Sequence, residues 1–355
     1  MNRRHALKRL GFLSLLRPSL VVAQSPESVD FLKHHPAFDL HCHPGNFPQR
    51  GGAEYKGDQA LARTISEMRN GGLAAGFFSI IADAKILGRD AKGVRVVNRA
   101  LAAGEPWADC KRQLTTFDDL VKREKIGFAS NVRQMEAVRN RGHLAAFLSC
   151  EGGDCLEGNV ARLDDLYQRG VRSLQLVHYA QNTLGDLQTQ PPVYNGLSTF
   201  GRDVVRRMNR LGMLVDVAHA AFTTVKATVD STTAPIVLSH SHLQSEFTPH
   251  PRLITVEHAR LVASTGGVIG AWPSGFANRT FADFVDQTMR LVDAVGVDHV
   301  GLGTDMDSNF QPVFSTYLQL PDWIAALRAK GLSEGDVAKI AGGNALRVLQ
   351  QVLKA

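Results

Sequence analysis

The run Phe38-Asp39-Leu40-His41-Cys42-His43 ends an apolar approach in two histidines spaced two residues apart. On a β-strand alternate side chains share a face, so His41 and His43 can point at one site while Cys42 points away. That is how a strand end presents two imidazoles to a metal ion. Alone, the pair fits surface decoration as well. Other ligand-type residues close further apolar runs: Glu151, His178, His219, His240 and Asp305. Each could singly be a satisfied core residue, but their recurrence at the same end of successive strands points to metal binding. Imidazoles with carboxylates suit a borderline divalent ion, most often zinc. The set is large enough for two Zn2+ ions sharing a carboxylate. Such a pair holds a water, lowers its pKa and polarises a carbonyl, which is the chemistry of hydrolysis. The alternative, a metal-free ligand site, leaves so dense a histidine set without a role.

These residues need elements that bring them together. Apolar, β-rich runs are expected as strands over 37–41, 73–81, 143–151, 171–178, 213–219, 234–240, 268–272 and 299–305. Helical stretches alternate with them, at 58–70, 92–103, 116–141, 160–169, 199–211, after Ala220, and at 256–264 and 281–295. A polar connector holding Pro106 and Cys110 separates the second of these from the third, and C-terminal helices follow at 333–340 and 344–353. Glycine just past a helix is the usual left-handed cap, and it recurs here before strand after strand. Buried apolar strands alternating with helices imply a parallel sheet. Eight βα units in this length fit an α/β TIM-type barrel with extra C-terminal helices, whose C-terminal face would collect the ligand set. A doubly wound open sheet is the runner-up, but no Gly-x-Gly-x-x-Gly follows the first strand. No Pro/Ser linker or shift in composition breaks the chain, so 30–355 is expected to be a single domain.

The chain has 355 residues and 44% hydrophobic content, enough for a large core. Of 40 basic residues, Arg3, Arg4, Lys8, Arg9 and Arg17 fall in the first 24 positions, which hold no acid; the remainder carries 35 basic against 34 acidic residues. A near-neutral body excludes a nucleic-acid surface, which needs a clustered basic face. The opening Arg3-Arg4-His5-Ala6-Leu7-Lys8, with apolar runs 10–16 and 19–23 ending in Val21-Val22-Ala23-Gln24, reads as a twin-arginine-like export signal over 1–24. Export implies a periplasmic protein. Arg17-Pro18 interrupts the apolar region, and the alternative is the basic N-terminus of a cytoplasmic protein. No run is long enough for a transmembrane span. The four cysteines, Cys42, Cys110, Cys150 and Cys155, form no CxxC zinc pattern and read as buried thiols, with a disulfide allowed after export.

At this point the chain resembles the membrane (renal) dipeptidase family of zinc peptidases and its bacterial relatives. The matching segments are Asp39–His43, Cys150-Glu151-Gly152-Gly153, Leu174 to Thr183 with His178 and Asn182, Gly196 to Gly201, Leu214 to His219, Leu238 to Ser241, His250-Pro251-Arg252, Gly301 to Asp307 and Gly342 to Leu349. They keep family order from about residue 36 onward. The resemblance implies a metal-dependent barrel that cleaves dipeptides, with a homodimer allowed. It implies that Glu151 bridges two zinc ions, His41 and residue 43 complete one shell, and His219 and His240 complete the other. It gives His178 to the oxyanion, Arg252 to the substrate's C-terminal carboxylate and Asp305 to the proton passed to the leaving amine. The family usually has aspartate where His43 stands, which makes one ligand neutral. Asp307-Ser308 replaces a more usual Asp-Gly. Another amidohydrolase-type metal hydrolase (lactone, N-acyl amino acid or phosphotriester substrate) and a non-catalytic barrel remnant are the other readings.

Overall fold

The computed structural model describes residues 26–246 and 249–354. Its centre is eight parallel strands: Ala37–Cys42, Leu73–Ile81, Ala145–Glu151, Val171–Gln175, Leu214–Asp216, Val237–Ser241, Val268–Ala271 and Val300–Leu302. Each pairs in parallel with the next. The eighth returns to the first through Leu302 and Asp39, so the sheet closes into a barrel. Helices Asp58–Asn70, Ala161–Gln168, Thr199–Leu211, Phe222–Val229, Val256–Ser264 and Phe281–Val295 cross between successive strands. Their ends follow the expected chemistry. Thr280 and Asp283 form a reciprocal capping box at the start of the last of these. Gly212 closes helix Thr199–Leu211 at φ 78°, where a side chain would be strained.

The first strand contains the device that aims the histidines. Its register to the second strand jumps from Asp39↔Gly76 to Cys42↔Phe78, so three residues face two. This bulge resets the alternation. Below it, Phe38 points into the barrel, where its ring meets Phe77 and Phe147 edge-on at 5.5 and 5.6 Å. Above it, His41 and His43 take the interior, and Cys42 turns out to donate to the Phe77 carbonyl at 3.3 Å. A strand without the bulge could not place both Phe38 and His43 inside.

Two expected helices are corrected. Residues 92–103 hold no helix. An antiparallel hairpin, Leu87–Arg89 with Arg95–Val97, occupies this region. Its turn is made by Asp90, whose carboxylate accepts from the amides of Lys92 and Val94, and by Gly93 at φ 82°. The connector is instead helical: Glu105–Arg123 includes Cys110 and carries Pro106 in its first turn, where no amide partner is needed. The 116–141 helix is broken in two. Lys125 at φ 51° ends the first part, a short strand Gly127–Phe128 pairs with Ala145 and Ala146 at the start of the third barrel strand, and Asn131 caps a new helix, Val132–Arg139. At the C-terminus, helix Asn344–Val352 follows a π-turn, Lys339–Gly343, in which a Cβ on Gly342 would sit 2.1 Å from the Pro36 carbonyl oxygen. Glycine there lets the last helices pack directly on the start of the first strand.

Candidate metal centre

The expected strand-end residues sit at the barrel's C-terminal mouth, and several lie just past the strands rather than on them. His178, His219 and Asp305 each stand three residues beyond the last strand residue, Gln175, Asp216 and Leu302. The backbone leaves the strand direction there: His219 has φ 65° and Asp305 φ 52°. Left-handed backbone at non-glycine residues is costly and is held where side-chain position demands it. Buried aspartates hold the bends. Asp39 accepts from the amides of His41 and Thr304 and from the Tyr317 hydroxyl. Asp216 accepts from the amides of Ala218 and Ser239.

Two nitrogen pairs face one carboxylate. His41 Nε2 and His43 Nε2 are 3.0 Å apart, and His219 Nε2 and His240 Nε2 are 3.1 Å apart. Glu151 lies between: Oε2 is 3.3 Å from His43, while Oε1 is 3.3 Å from His41, 3.4 Å from His219 and 3.9 Å from His240. His41, His43 and Glu151 form one group with ligand atoms within 4.8 Å, and Glu151, His219 and His240 form another. The fit to metal is direct. An ion about 2.0–2.1 Å from each of two nitrogens separates them by roughly 2.9–3.4 Å. All five residues are buried, and a buried set of nitrogens and oxygens at such separations fits a cation in each group.

Two of the other ring nitrogens are pinned, which orients the ring for a ligand role, while His219 Nδ1 has no partner. His43 Nδ1 donates to the Ser79 carbonyl at 2.9 Å, leaving the Nε2 lone pair toward Glu151. His240 Nδ1 meets Ser239 Oγ at 2.9 Å. Histidine in place of the usual aspartate at 43 therefore faces the Glu151 side of the mouth, and Asp305 Oδ1, 3.5 Å from His43 Nε2, keeps a carboxylate there. Burial pushes His219 and His240 well below the ordinary histidine range, which favours the neutral, ligating form. Burial acts the same way on His41, but the Glu151 carboxylate overrides it and raises His41 to about 9. Asp305 is raised mainly by burial, with His43 opposing.

His178 stands between carboxylates, with Nε2 3.2 Å from Glu151 Oε1 and Nδ1 2.7 Å from Asp83 Oδ1. Asp83 also accepts from the amides of Tyr179 and Ala180. It was not among the expected residues, although it follows the second strand by two positions as a strand-end carboxylate should. Arg252 is 1% exposed. Nη1 donates to Gln188, the guanidinium lies 5.2 Å over Trp272, and Nε and Nη2 have no partner. A narrow cleft opens onto Glu151, His178, His219 and Asp305. Tyr179, Trp272, Phe276 and Phe310 wall it, and the hairpin brings Arg89 and Arg95 to its rim. The hairpin, mistaken for a helix from its sequence, is thus part of the cleft. Asp307 anchors the segment after the first strand by accepting from Gly45 and Thr64, and Ser308 accepts from Arg95.

Known proteins agree with this architecture. Dipeptidase verJ of Clonostachys rogersoniana is 28% identical over 250 residues, 68% of this chain and 64% of its own length. Dipeptidase aclJ of Aspergillus oryzae is 32% identical over 222 residues, 59% of this chain and 52% of its own. The chain thus spans between about half and two thirds of the length of these curated relatives. A metallo peptidase from Rhodobacter sphaeroides, solved with a phosphinate mimic of the dipeptide L-Ala-D-Ala, superposes with TM-score 0.76 at 21% identity, covering 90% of this chain and 99% of that one. At that identity the likeness is one of fold. The family model described as membrane dipeptidase, peptidase family M19, matches residues 27–355. The chain belongs to the membrane dipeptidase family, peptidase family M19.

Proposed function

We propose that the protein is a metal-dependent dipeptidase using two zinc ions. The observation that carries this is Glu151, whose carboxylate lies between the two histidine pairs, with Oε2 3.3 Å from His43 and Oε1 3.3 Å from His41 and 3.4 Å from His219. His41, His43 and Glu151 would hold one ion, and Glu151, His219 and His240 the other. Bound there, the ions would supply the Lewis acidity that lowers the pKa of a water and polarises the scissile carbonyl. Arg252 offers its two free guanidinium N–H groups to the C-terminal carboxylate, a planar fork matched to that anion. His178, fixed through Nδ1 by Asp83, aims Nε2 at the cleft and in its doubly protonated form donates to the carbonyl oxygen as charge develops. Asp305, at the cleft's edge, takes a proton and passes it to the leaving amine. The phosphinate dipeptide mimic held by the Rhodobacter relative supports this substrate class. We also propose export through the twin-arginine-like segment, which lies outside the described residues, and one domain over 30–355.

The test is a substrate panel run on zinc-loaded protein. Dipeptides are expected to be cleaved, with activity lost to a chelator and restored by zinc. Fully metallated protein that turns over lactones, phosphotriesters or N-acyl amino acids but no dipeptide would overturn the proposal. A second expectation concerns protons. With a pKa of about 9, His41 is protonated in the metal-free protein near neutral pH and must lose that proton to coordinate. Zinc binding should therefore release about one proton from this residue, and apparent affinity should climb with pH until about 9. Calorimetry in buffers of different ionisation enthalpy counts the protons. A count of zero near neutral pH removes His41 from the ligand set.

A further inference from the structure

Glu151 and Cys150 are successive on the third barrel strand, so their side chains point to opposite faces. Glu151 enters the mouth. Cys150 points outward into the layer of apolar side chains between strands and helices. There it meets Cys110, from helix Glu105–Arg123, and Cys155, from the turn Asp154–Leu156. The three sulfurs lie within 4.8 Å of one another. Each residue is at most 1% exposed, and all are free thiols. One buried cysteine acts as a small hydrophobe. Three from separate elements, meeting at one point, form a donor set.

We propose that Cys110, Cys150 and Cys155 form a thiolate site for a soft monovalent metal ion, copper(I), distinct from the histidine–carboxylate centre. All-sulfur donors select soft ions. Structural zinc is four-coordinate, and among the described residues no imidazole or carboxylate joins these sulfurs within the same distance. An ion with metal–sulfur bonds of about 2.3 Å, centred among three sulfurs, spaces them about 4.0 Å apart. That spacing falls inside the observed bound. A disulfide would instead draw two sulfurs to about 2.05 Å and leave the third unused. Binding balances as Cu+ plus three thiols giving a complex of two thiolates and one thiol, with net charge −1, and two protons released to solvent. Arg162, whose Nη1 donates to the Cys155 carbonyl at 3.0 Å, places a guanidinium beside that charge. The ion would tie helix Glu105–Arg123 to the strand that ends in Glu151.

The test uses reduced, zinc-loaded protein, so that the histidine centre is filled. Copper(I) is supplied bound to a coloured bidentate chelator. The protein is expected to withdraw one copper per chain, with X-ray absorption giving a shell of sulfur only. Cys155→Ser and Cys110→Ser should each leave the copper with the chelator. The wild-type melting temperature should rise on copper addition, and that of the variants should not. Three results would overturn the site: a chelator that keeps all its copper, nitrogen or oxygen in the copper shell, or a count of two free thiols instead of four in denatured, unreduced protein. The last would establish a disulfide in place of a metal site. The absorption and thiol measurements need only the wild type, so they hold if a serine variant fails to fold.

Discussion

Glu151→Gln is expected to abolish turnover, lowering kcat by at least about 1,000-fold, or roughly 4 kcal/mol of transition-state stabilisation, and to lower zinc content with it. Glutamine keeps the shape of the side chain and removes its charge. In the wild type that carboxylate is the shared member of both ligand groups and the anion nearest His41, His43 and His219. Burial opposes its charge, but His178 and His41 hold it well below the usual carboxylate range. An amide gives one neutral oxygen where two anionic ones stood, so it cannot bridge two cations. The remaining imidazoles then gather two divalent charges without the carboxylate between them, in a site where unpaired charge is costly. Metal analysis beside steady-state kinetics decides the matter, with a thermal melt to confirm folding. Full activity with two zinc ions still bound would refute the bridging role.

The bridging role came from family likeness alone, but the place of Glu151 among the strand-end residues could be read from the chain, because closed α/β barrels turn a linear pattern into a spatial one. Apolar runs ending in His178, His219, His240 and Asp305 converge once the sheet closes, whatever the helices between them do. The signal stopped short where geometry depends on local backbone. Simple alternation placed His41 and His43 together but could not show the bulge that lets Phe38 share the interior with them, because a one-residue register slip leaves no mark in composition. Residues 92–103 have helical apolar spacing, yet Asp90 and Gly93 make a tight turn and the segment runs as the second arm of a hairpin. Turn chemistry outweighed periodicity there. Asp83 was legible as a strand-end carboxylate and was missed, because the second strand ends without a histidine to draw attention to it. The three cysteines were legible only one at a time: Cys110 lies 40 residues from Cys150, and nothing short of the fold brings them together.

Arg252 marks the opposite limit, since only family likeness singled it out, and its surroundings now make a quantitative expectation. The guanidinium is buried, held at one nitrogen by Gln188 and over Trp272, with Nε and Nη2 unsatisfied. Burial lowers its pKa, and the nearby Tyr179, Glu151 and Asp305 act in the other direction. A buried cation with two idle N–H groups is costly unless a ligand completes it. A carboxylate does so with two parallel hydrogen bonds. Arg252→Met keeps the packing against Trp272 and removes the fork. Breaking one side of a buried charge pair costs about 2–5 kcal/mol, so kcat/KM on dipeptides should fall about 30- to 4,000-fold. The same comparison on dipeptide amides, which lack the carboxylate, should show little difference between variant and wild type. Lysine should rescue poorly, because an ammonium reaches one oxygen where the fork reaches two. Equal losses on dipeptides and their amides would mean that Arg252 supports the wall of the cleft rather than binding substrate, and the carboxylate anchor would then have to lie elsewhere, with Arg95 at the rim the next residue to substitute.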